Sequence, residues 1–400
     1  MAKYYLKSDI GNIAKGISDL IDSKKIKQGE KLILFGLDRN SFAMRTILSN
    51  MGFNNIECYL AEDEAQVIMI NMDINNFACR YFNRTEDIID VTTVEDRLIP
   101  YDEYVRILIA SPSYDKIEKK LAKLGYKESV HFFSVCDFAD EKLEKLIGGK
   151  TQLCLEEIQS LEKDMLFFVD ELCRKHQLRY WVCGGTLLGT IRHKGFIPWD
   201  DDADIFLPWE DYQKLMEIFE ETERYSMVGM GVSAESDYCD LFAKIVDKRT
   251  ICDKPAGTVQ KISPLGLDIF PLIGLPEEKS ERHLFFVRYR ELLRSIWQDF
   301  YATNGDLNTF PRWFDRQRAF LEQYDFDKSK YVGVLGTDYG ERDCTFRDVY
   351  QTTLRMNFED IMVNVPGGYQ EYLTNLYGNW SQLPDESERK PHNSKAVYWV

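Results

Sequence analysis

Residues 179–208 read RYWVCGGTLLGTIRHKGFIPWDDDADIFLP and combine a strand, a turn, a helix start and a row of carboxylates. Arg179–Cys183 has the apolar and aromatic composition of a short strand. Gly184 and Gly185 follow it, where a sharp turn needs a positive φ or a close approach of the backbone. Thr186 is predicted to cap the helix that begins next. The sequence therefore predicts a strand, a glycine turn and a helix in immediate succession.

The glycine turn is a candidate phosphate site. Unpaired N–H groups and the positive end of the helix dipole meet at a helix start, and a phosphate fits there. We therefore predict that Gly184, Gly185 and Thr186 bind phosphate oxygens. Such residues also occur in ordinary strand-to-helix turns, so the residues that follow decide between the two interpretations.

A run of aspartates follows within PWDDDADIFL, residues 198–207. Side chains two apart in a strand share a face, so Asp200, Asp202 and Asp204 point the same way if the extended conformation reaches back to Asp200. Carboxylates this close repel one another, so they either keep protons or surround a cation. Oxygen-only ligands favour Mg²⁺ or Mn²⁺ over zinc. A solvated acidic loop is the alternative, which the apolar flanking residues disfavour.

A further aspartate, Asp268, lies inside the apolar stretch PLGLDIFPL, residues 264–272. A buried carboxylate without a partner is costly in such a strand. If this strand lies beside the acidic one, Asp268 is either another metal ligand or the general base for an attacking hydroxyl. Capping a turn or pairing with an arginine would explain the residue without catalysis.

Three basic or titratable residues come just before the aspartates. Arg192 offers a planar fork and Lys194 a point charge for the phosphates of a nucleotide. His193 is a further candidate contact, although one imidazole among carboxylates does not make a zinc site. A solvated basic turn is the alternative interpretation.

Size and charge narrow the class of protein. The chain has 400 residues, of which 44% are hydrophobic and 13% aromatic, which predicts two or three domains with sizeable cores. A net charge of −16 argues against non-specific nucleic-acid binding, because no basic surplus exists to displace counterions. An anionic substrate therefore needs a metal or a few well-placed cations.

Cysteine usage and hydropathy predict a cytoplasmic protein. The nine cysteines are odd in number and never form C-x-x-C, which favours reduced thiols over a disulfide framework or a zinc site. Neither a signal-peptide core nor an apolar stretch of about 18 residues occurs. We expect no transmembrane segment and a location in the cytoplasm or at the inner face of the membrane.

Residues 1–150 alternate strands with helices, which predicts a small parallel, Rossmann-like sheet. The first turn, FGLDRNS at residues 35–41, has one glycine where a dinucleotide fingerprint has three, although Glu62 or Asp63 could contact a ribose. A structural, oligomerising or acceptor-positioning role is therefore favoured over cofactor binding. The predicted elements are a helix ending near Lys24, strand Lys31–Phe35, helix Phe42–Met51, strand Ile56–Leu60, strand Val105–Ala110, helix Asp115–Leu124 and strand Val130–Val135.

Residues 151–400 are predicted to form a second, α+β domain, after a charged stretch that ends in Gly148-Gly149-Lys150. The tail at residues 383–395 is polar and is expected to be loose. The other predicted elements are helix Leu155–Leu172, strand Arg179–Cys183, helix Trp209–Phe219, strand Leu241–Val246, aromatic helices within 284–325, strands Tyr331–Leu335 and Arg355–Val365, and helix Tyr369–Tyr377.

The motifs GGTLLG at 184–189, RH at 192–193 and GFIPWDDDADI at 195–205 together resemble the signature of the LicD family. That family includes bacterial phosphorylcholine transferases and, more distantly, fukutin and fukutin-related protein. The resemblance extends over about residues 155–380, because LDIFPL at 267–272 and several late residues also fit. These late residues are Val365-Pro366, Tyr369, Tyr372-Leu373 and Leu376-Tyr377-Gly378.

The resemblance implies a nucleotidyltransferase-like fold with helical additions for residues 151–400. It also implies a CDP-activated alcohol, such as CDP-choline, as donor and a hydroxyl of a cell-surface glycan or lipid-linked oligosaccharide as acceptor. At the matching positions Asp202, Asp204 and Asp268 would be catalytic, and Asp200 would join them as a metal ligand. A lysine-bearing strand in the family makes Lys244 a candidate for holding a phosphate.

Two other functions stay open. A nucleotidyltransferase that makes an activated alcohol, or nucleotidylates a small molecule, would share the donor-side residues and differ in the attacking group. A non-catalytic scaffold in polysaccharide assembly is the second. Three mutually repelling carboxylates speak against it, since a binding module has no need of them.

Overall fold

The computed structural model describes residues 9–35, 39–61, 90–98, 101–110, 114–135, 147–229, 242–253, 262–302, 310–335, 337, 339–389 and 396–400. Glu62, Asp63 and residues 36–38 of the first turn lie outside these ranges, so the cofactor question for the N-terminal part stays a prediction. Among the helices in these ranges, none combines the length and the apolar composition that a membrane span requires.

The N-terminal part contains a parallel sheet of five strands in the order β3-β2-β1-β4-β5. Apolar strands such as LILF at 32–35 are fully buried, as expected for a sheet covered by helices on its faces. The predicted Rossmann-like sheet is therefore confirmed. The elements are α1 (Asp9–Asp22), β1 (Leu32–Phe35), α2 (Arg39–Asn50), β2 (Ile56–Ala61), β3 (Asp90–Thr93), α3 (Val94–Leu98), β4 (Arg106–Ile109), α4 (Tyr114–Lys123) and β5 (Phe132–Ser134).

Strand β3 is the element of this sheet that the sequence did not predict. Its sequence, DVTT at 90–93, is short and half polar, so it lacks the apolar run by which the other strands were identified. It pairs with β2 in parallel register, with Tyr59 opposite Val91. Pairing with a neighbouring strand, rather than local composition, makes it a strand.

The remainder of the chain is built around a second, mixed sheet of eight strands. A separate hairpin, β13–β14, and several helices surround it. The elements are α5 (Leu155–His176), β6 (Trp181–Val182), α6 (Gly184–Arg192), β7 (Asp204–Pro208), α7 (Trp209–Ile218), β8 (Tyr225–Gly229), β9 (Ala243–Asp253), β10 (Ile262–Leu275), α8 (Lys279–Ala302), α9 (Phe310–Leu321), β11 (Tyr331–Val334), β12 (Thr345–Phe346), β13 (Thr353–Phe358), β14 (Ile361–Pro366), α10 (Tyr369–Tyr377) and β15 (Ala396–Trp399).

Strand β10 is the centre of this sheet. It pairs in parallel with β7 through Asp268–Leu272, and antiparallel with β9 and β11 along its two halves. Strand β9 in turn pairs with β8 and, at its far end, with the C-terminal strand β15. The α/β fold class is therefore confirmed, with parallel and antiparallel strands mixed in the larger sheet.

Several boundaries differ from the sequence expectations. The strand expected at 179–183 has only two paired residues, and the single strand expected at 355–365 is a hairpin that turns at Glu359-Asp360. After the tail expected to be loose at 383–395, the chain forms a further strand that the sequence did not predict, because Ala396–Trp399 pairs with β9 and Val397 is fully buried. Residues 390–395 lie outside the described part of the chain. Helix α10 has the bounds that the sequence predicted, Tyr369–Tyr377.

The two sheets are connected by side-chain packing on the long helices. Ile296 of α8 and Trp313 of α9 are 1% and 3% exposed and belong to the same apolar cluster as Ile13 and Leu34 of the N-terminal part. The boundary predicted at residue 150 stays a prediction, since helices from beyond it contribute to the N-terminal core.

Candidate active site

Three neighbouring strands bring together three of the predicted site residues. Asp204, the first residue of β7, lies opposite Asp268 of β10, and Asp268 lies opposite Lys244 of β9. Residues opposite one another in a sheet point to the same face. Lys244 Nζ lies 2.6 Å from Asp268 Oδ1, and both side chains are mostly buried. The row thus holds two carboxylates and one ammonium group side by side.

The glycine turn lies next to the Asp204 end of this row. Helix α6 begins at Gly184, whose φ of +51° lets the chain turn immediately after β6. A Cβ placed on Gly184 would lie 3.4 Å from Asp204 Oδ2, and one placed on Gly185 would lie 2.7 Å from Asp200 Oδ2. The two glycines therefore let the backbone approach two of the carboxylates closely.

Thr186 does not cap the helix, contrary to the prediction. The N-cap position belongs to Cys183, because the helix begins at Gly184, three residues earlier than expected. Thr186 is buried in the first turn, and its Oγ1 accepts a hydrogen bond from the Asp204 N–H at 2.8 Å. Thr186 therefore ties the start of β7 to the helix that precedes it.

The other aspartates form an acidic loop, Asp200–Ala203, which precedes β7. The strand does not reach back to Asp200, so the predicted alternation of Asp200 and Asp202 along one face is wrong. A loop allows Asp200, Asp201 and Asp202 to place carboxylate oxygens within 4.8 Å of one another. The Asp200 carbonyl is held from outside by Gln159 Nε2 at 2.8 Å.

Asp201 is a member of the cluster that the sequence did not single out. Its side chain is 2% exposed, although the alternation predicted for a strand would have turned it to the opposite face. The triple aspartate was the available signal, but only the loop conformation shows that all three side chains gather.

Burial and mutual repulsion shift the protonation of these groups. Loss of solvation, followed by the charge of Asp202, raises the pKa of Asp200 to about 8. The pKa of Asp204 is well above its usual range, first because of burial and then because of Asp202, Asp268 and Asp200, while Lys244 acts in the opposite direction. The cluster thus holds more negative charge than it can carry without a proton or a cation.

These residues fit a divalent cation. Hard cations of the Mg²⁺ class take carboxylate oxygens, and the acidic loop supplies oxygens from several side chains at one place. Asp204 adds a further carboxylate, and burial together with repulsion within the cluster destabilises its anionic form. Asp268 is already paired with Lys244, so its place in a metal shell stays a prediction.

The three basic residues lie at the other end of α6. Nine helical residues separate Gly184 from Arg192 by about 12 Å along the helix axis. Arg192 donates to His193 Nε2 at 2.9 Å and to the carbonyls of Trp380 and Gln382. Lys194 Nζ contacts the Ile191 carbonyl at 3.1 Å.

These contacts attach the segment after α10 to the end of α6. Burial and the neighbouring Arg192 lower the pKa of His193, in keeping with a neutral ring that accepts from the guanidinium. A contact of Arg192, His193 or Lys194 with phosphate stays a prediction, and the glycine turn is the part of α6 that adjoins the carboxylates.

A group of tyrosines behind the glycine turn was missed as part of the site. Tyr372 accepts the Gly184 N–H at 3.3 Å and donates to Asp343 Oδ1 at 3.4 Å, while Thr337 donates to the other oxygen of Asp343. Asp343 is 1% exposed, and burial raises its pKa to about 7. The sequence singles out Tyr372 only as a position that fits the LicD pattern, and nothing in the local sequence marks Asp343.

Comparisons with known proteins agree with this geometry. The family model described as LicD/FKTN/FKRP, nucleotidyltransferase domain, matches residues 177–251, which run from the end of α5 through the glycine turn, the acidic loop and Lys244. The lipopolysaccharide cholinephosphotransferase LicD of Haemophilus influenzae is 29% identical over 264 residues, covering 62% of this chain and 98% of that protein.

Two shorter matches add to this. The uncharacterized protein RP689 of Rickettsia prowazekii is 38% identical over 109 residues, which cover 27% of this chain and 37% of that protein. The ribitol 5-phosphate transferase FKRP of Homo sapiens is 53% identical over 34 residues, 8% of this chain and 7% of that protein. The resemblance read from the motifs is thus confirmed: residues 177–251 match the LicD family domain, and the similarity to the LicD cholinephosphotransferase supports an enzyme of the LicD phosphotransferase type.

Proposed function

We propose that the chain transfers a phospho-alcohol group, such as phosphocholine, from a CDP-activated donor to a hydroxyl of a cell-surface glycan or lipid-linked oligosaccharide, using Mg²⁺ or Mn²⁺. The observation that carries this proposal is the meeting of the glycine turn with the carboxylates of the acidic loop, Asp204 and Asp268. The names of the LicD and FKRP relatives, which refer to cholinephosphate and ribitol phosphate transfer, support the class of group transferred.

The metal would be held by Asp200, Asp202 and Asp204, with Asp268 beside them. When bound, it neutralises the pyrophosphate of the donor and the charge that develops on the leaving nucleotide. Asp201 lies within reach of the same place and is a further ligand candidate.

The glycine turn offers two backbone N–H groups to the phosphates of the CDP-activated substrate. The Gly184 N–H already donates to Tyr372, so the N–H groups of Gly185 and Thr186 are the ones that phosphate oxygens can use. Both belong to the first turn of α6, where no intrahelical acceptor exists for them. Since neither glycine has a side chain, the phosphate can approach this backbone closely.

Asp268 is our candidate for the proton acceptor, with a role as metal ligand as the alternative. The acceptor hydroxyl oxygen forms a bond to the transferred phosphorus while the bond from that phosphorus to the oxygen of CMP breaks. The hydroxyl proton moves to a carboxylate oxygen of Asp268, and the electron pair of the broken bond leaves with CMP. Lys244 orients Asp268 through its contact with Oδ1, and a contact between Lys244 and phosphate stays a prediction.

Calorimetric titration tests this proposal directly. The protein is titrated with CDP, CDP-choline, CDP-ribitol, CTP, a UDP-sugar and NAD, each with and without Mg²⁺. We expect Mg²⁺-dependent binding of the cytidine diphosphate compounds, abolished in Asp202→Asn. Asp22→Asn, which makes the same chemical change at an exposed position of α1, is the matched control and should bind as the wild type does.

Other outcomes would point elsewhere. Binding of NAD alone, or of no nucleotide, would contradict the proposal and favour the N-terminal part or a scaffold role. The matching family domain is described as a nucleotidyltransferase, so nucleotidyl transfer is the enzymatic alternative. Release of pyrophosphate from CTP and phosphocholine, without transfer from CDP-choline, would support that alternative.

A further inference from the structure

We propose that two tyrosines, Tyr339 and Tyr377, form a donor-binding pair in which Tyr377 gives a hydrogen bond to a phosphate oxygen of the nucleotide. This inference rests on the proposed function, because it concerns the donor side of the same site. We call the two residues the tyrosine pair. Their hydroxyl oxygens lie 2.8 Å apart.

The tyrosine pair lies at the edge of the carboxylate cluster. A Cβ placed on Gly184 would lie 3.9 Å from the Tyr377 hydroxyl oxygen and 3.4 Å from Asp204 Oδ2. The first turn of α6, the first carboxylate of β7 and the last residue of α10 thus converge on one point. The Tyr377 hydroxyl therefore lies beside the turn that we propose to hold the phosphate.

The two hydroxyls of the tyrosine pair have one hydrogen left over for a bond to a ligand. Each hydroxyl carries one hydrogen, and the bond between the two tyrosines uses one of the two. Either hydroxyl can be the donor in this bond. When Tyr339 donates to Tyr377, the hydrogen of Tyr377 is left for a ligand, and Tyr377 is the one of the two that lies beside Gly184. Both residues are half-buried, so a ligand can reach them without rearrangement of the core.

A neutral donor suits this place. Burial raises the pKa of Tyr339 to about 12 and that of Tyr377 well above its usual range, and the nearby charge of Asp204 adds to both shifts. The two hydroxyls therefore keep their hydrogens throughout the physiological pH range. They can bind a phosphate oxygen without repelling it and without competing for the cation.

Tyr372 provides the contrast within the same helix. Its hydroxyl accepts the Gly184 N–H and donates to Asp343, and it is 1% exposed, so both its bonds serve to hold the glycine turn. Tyr377 lies five residues later on α10, and its recorded hydroxyl bond is to Tyr339. One tyrosine of α10 thus supports the turn and the other faces the place where the ligand binds.

Tyrosine-to-phenylalanine variants test the proposal, because they remove the oxygen and keep the ring. Titrations with CDP and with inorganic pyrophosphate, both with Mg²⁺, are compared with titration by cytidine, which has no phosphate. We expect Tyr377→Phe to weaken the binding of CDP and pyrophosphate by about tenfold or more, as for loss of a hydrogen bond to a charged group, and to leave cytidine unchanged. Tyr339→Phe should have a smaller effect.

The control is Tyr104→Phe, which removes the hydroxyl of a residue in the N-terminal part that is 77% exposed. If the wild type shows Mg²⁺-dependent binding and both pair variants bind CDP with unchanged affinity, the role of the tyrosine pair is overturned. The proposed function is not affected by that result. Equal weakening of CDP and cytidine would also overturn it, since that result indicates a structural effect. A wild type that binds no cytidine nucleotide would overturn this proposal together with the proposed function.

Discussion

Gly185 is the residue at which the glycine turn comes closest to the acidic loop. An added Cβ would lie 2.7 Å from Asp200 Oδ2, a separation at which one of the two atoms must move. Gly184 differs, because its added Cβ meets only ordinary contacts but its φ of +51° is unfavourable for other residues. The two adjacent glycines are therefore needed for different reasons, one for space and the other for backbone conformation.

We expect Gly185→Ala to reduce transfer from CDP-choline by at least tenfold while the melting temperature stays within a few degrees of wild type. The methyl group displaces a carboxylate of the metal site, and the helix itself accepts alanine well. Gly184→Ala should instead lower stability by about 1 kcal/mol through backbone strain. Thermal unfolding and CMP release measured on both variants check this, and a Gly185→Ala enzyme with full activity would contradict it.

Strand β10 is the element that assembles the site, because it pairs with β7 on one side and β9 on the other. Asp268 is thereby placed between Asp204 and Lys244. Strand β9 depends in turn on β8 beside Lys244 and on β15 at its opposite end. The β8 end of β9 therefore holds Lys244 in the site, and the opposite end, which pairs with β15, stabilises the sheet.

Deleting residues 396–400 should separate these two contributions. The deletion removes the buried Val397 and its carbonyl bond to the Leu153 N–H, so we expect a loss of about 2 kcal/mol or more in the free energy of unfolding. Lys244 lies at the β8 end of β9, so Mg²⁺-dependent CDP binding should persist below the melting temperature. Urea unfolding and calorimetry measure the two quantities, and loss of binding in a still folded protein would contradict this separation.

Two properties belong to the whole molecule. One is the packing of the N-terminal sheet on α8 and α9, and the other is the accumulation of negative charge. Trp313 is 3% exposed within a cluster that includes residues of the N-terminal part. The net charge of −16 includes carboxylates buried in the cluster, where they are costly as anions. The first property stabilises the folded chain, and the second destabilises it in the absence of a cation.

We expect Trp313→Ala to lower the free energy of unfolding by about 3–5 kcal/mol, as for other buried aromatic residues replaced by alanine. The cavity forms between the N-terminal sheet and the long helices. Urea unfolding of wild type and variant gives the value. A change below about 1 kcal/mol would show that the packing on Trp313 contributes little.

Stability should fall as pH rises when no divalent cation is present. The pKa values of Asp200 and Asp343 rise from an ordinary value of 3.8 to about 8 and about 7, so between pH 4 and pH 8 the folded state binds more protons than the unfolded chain. Folding stability therefore decreases through that window. Mg²⁺ binds the ionised carboxylates, so it should raise the melting temperature more at pH 8 than at pH 5.

Melting curves at pH 5, 6, 7 and 8, with and without Mg²⁺, check this expectation. Asp343→Asn is a useful comparison, because Asp343 lies behind the glycine turn and outside the acidic loop. This variant should reduce the dependence on pH and keep the effect of Mg²⁺. An increase of stability with pH in the absence of cation would contradict the assignment of raised pKa values.

Most helices, the longer strands, the glycine turn and several of the residues that the structure brings together could be read from the sequence, because they depend on short-range spacing and backbone preference. The close approach of Gly185 to Asp200, the loop that gathers Asp201 with its neighbours, the Lys244–Asp268 pair and the tyrosine pair could not. Each of these joins residues that are distant in sequence or depends on where a strand begins. Such residues are brought together by pairing between strands and by packing of α10 on α6. Neither kind of contact can be recognised from a pattern in the local sequence.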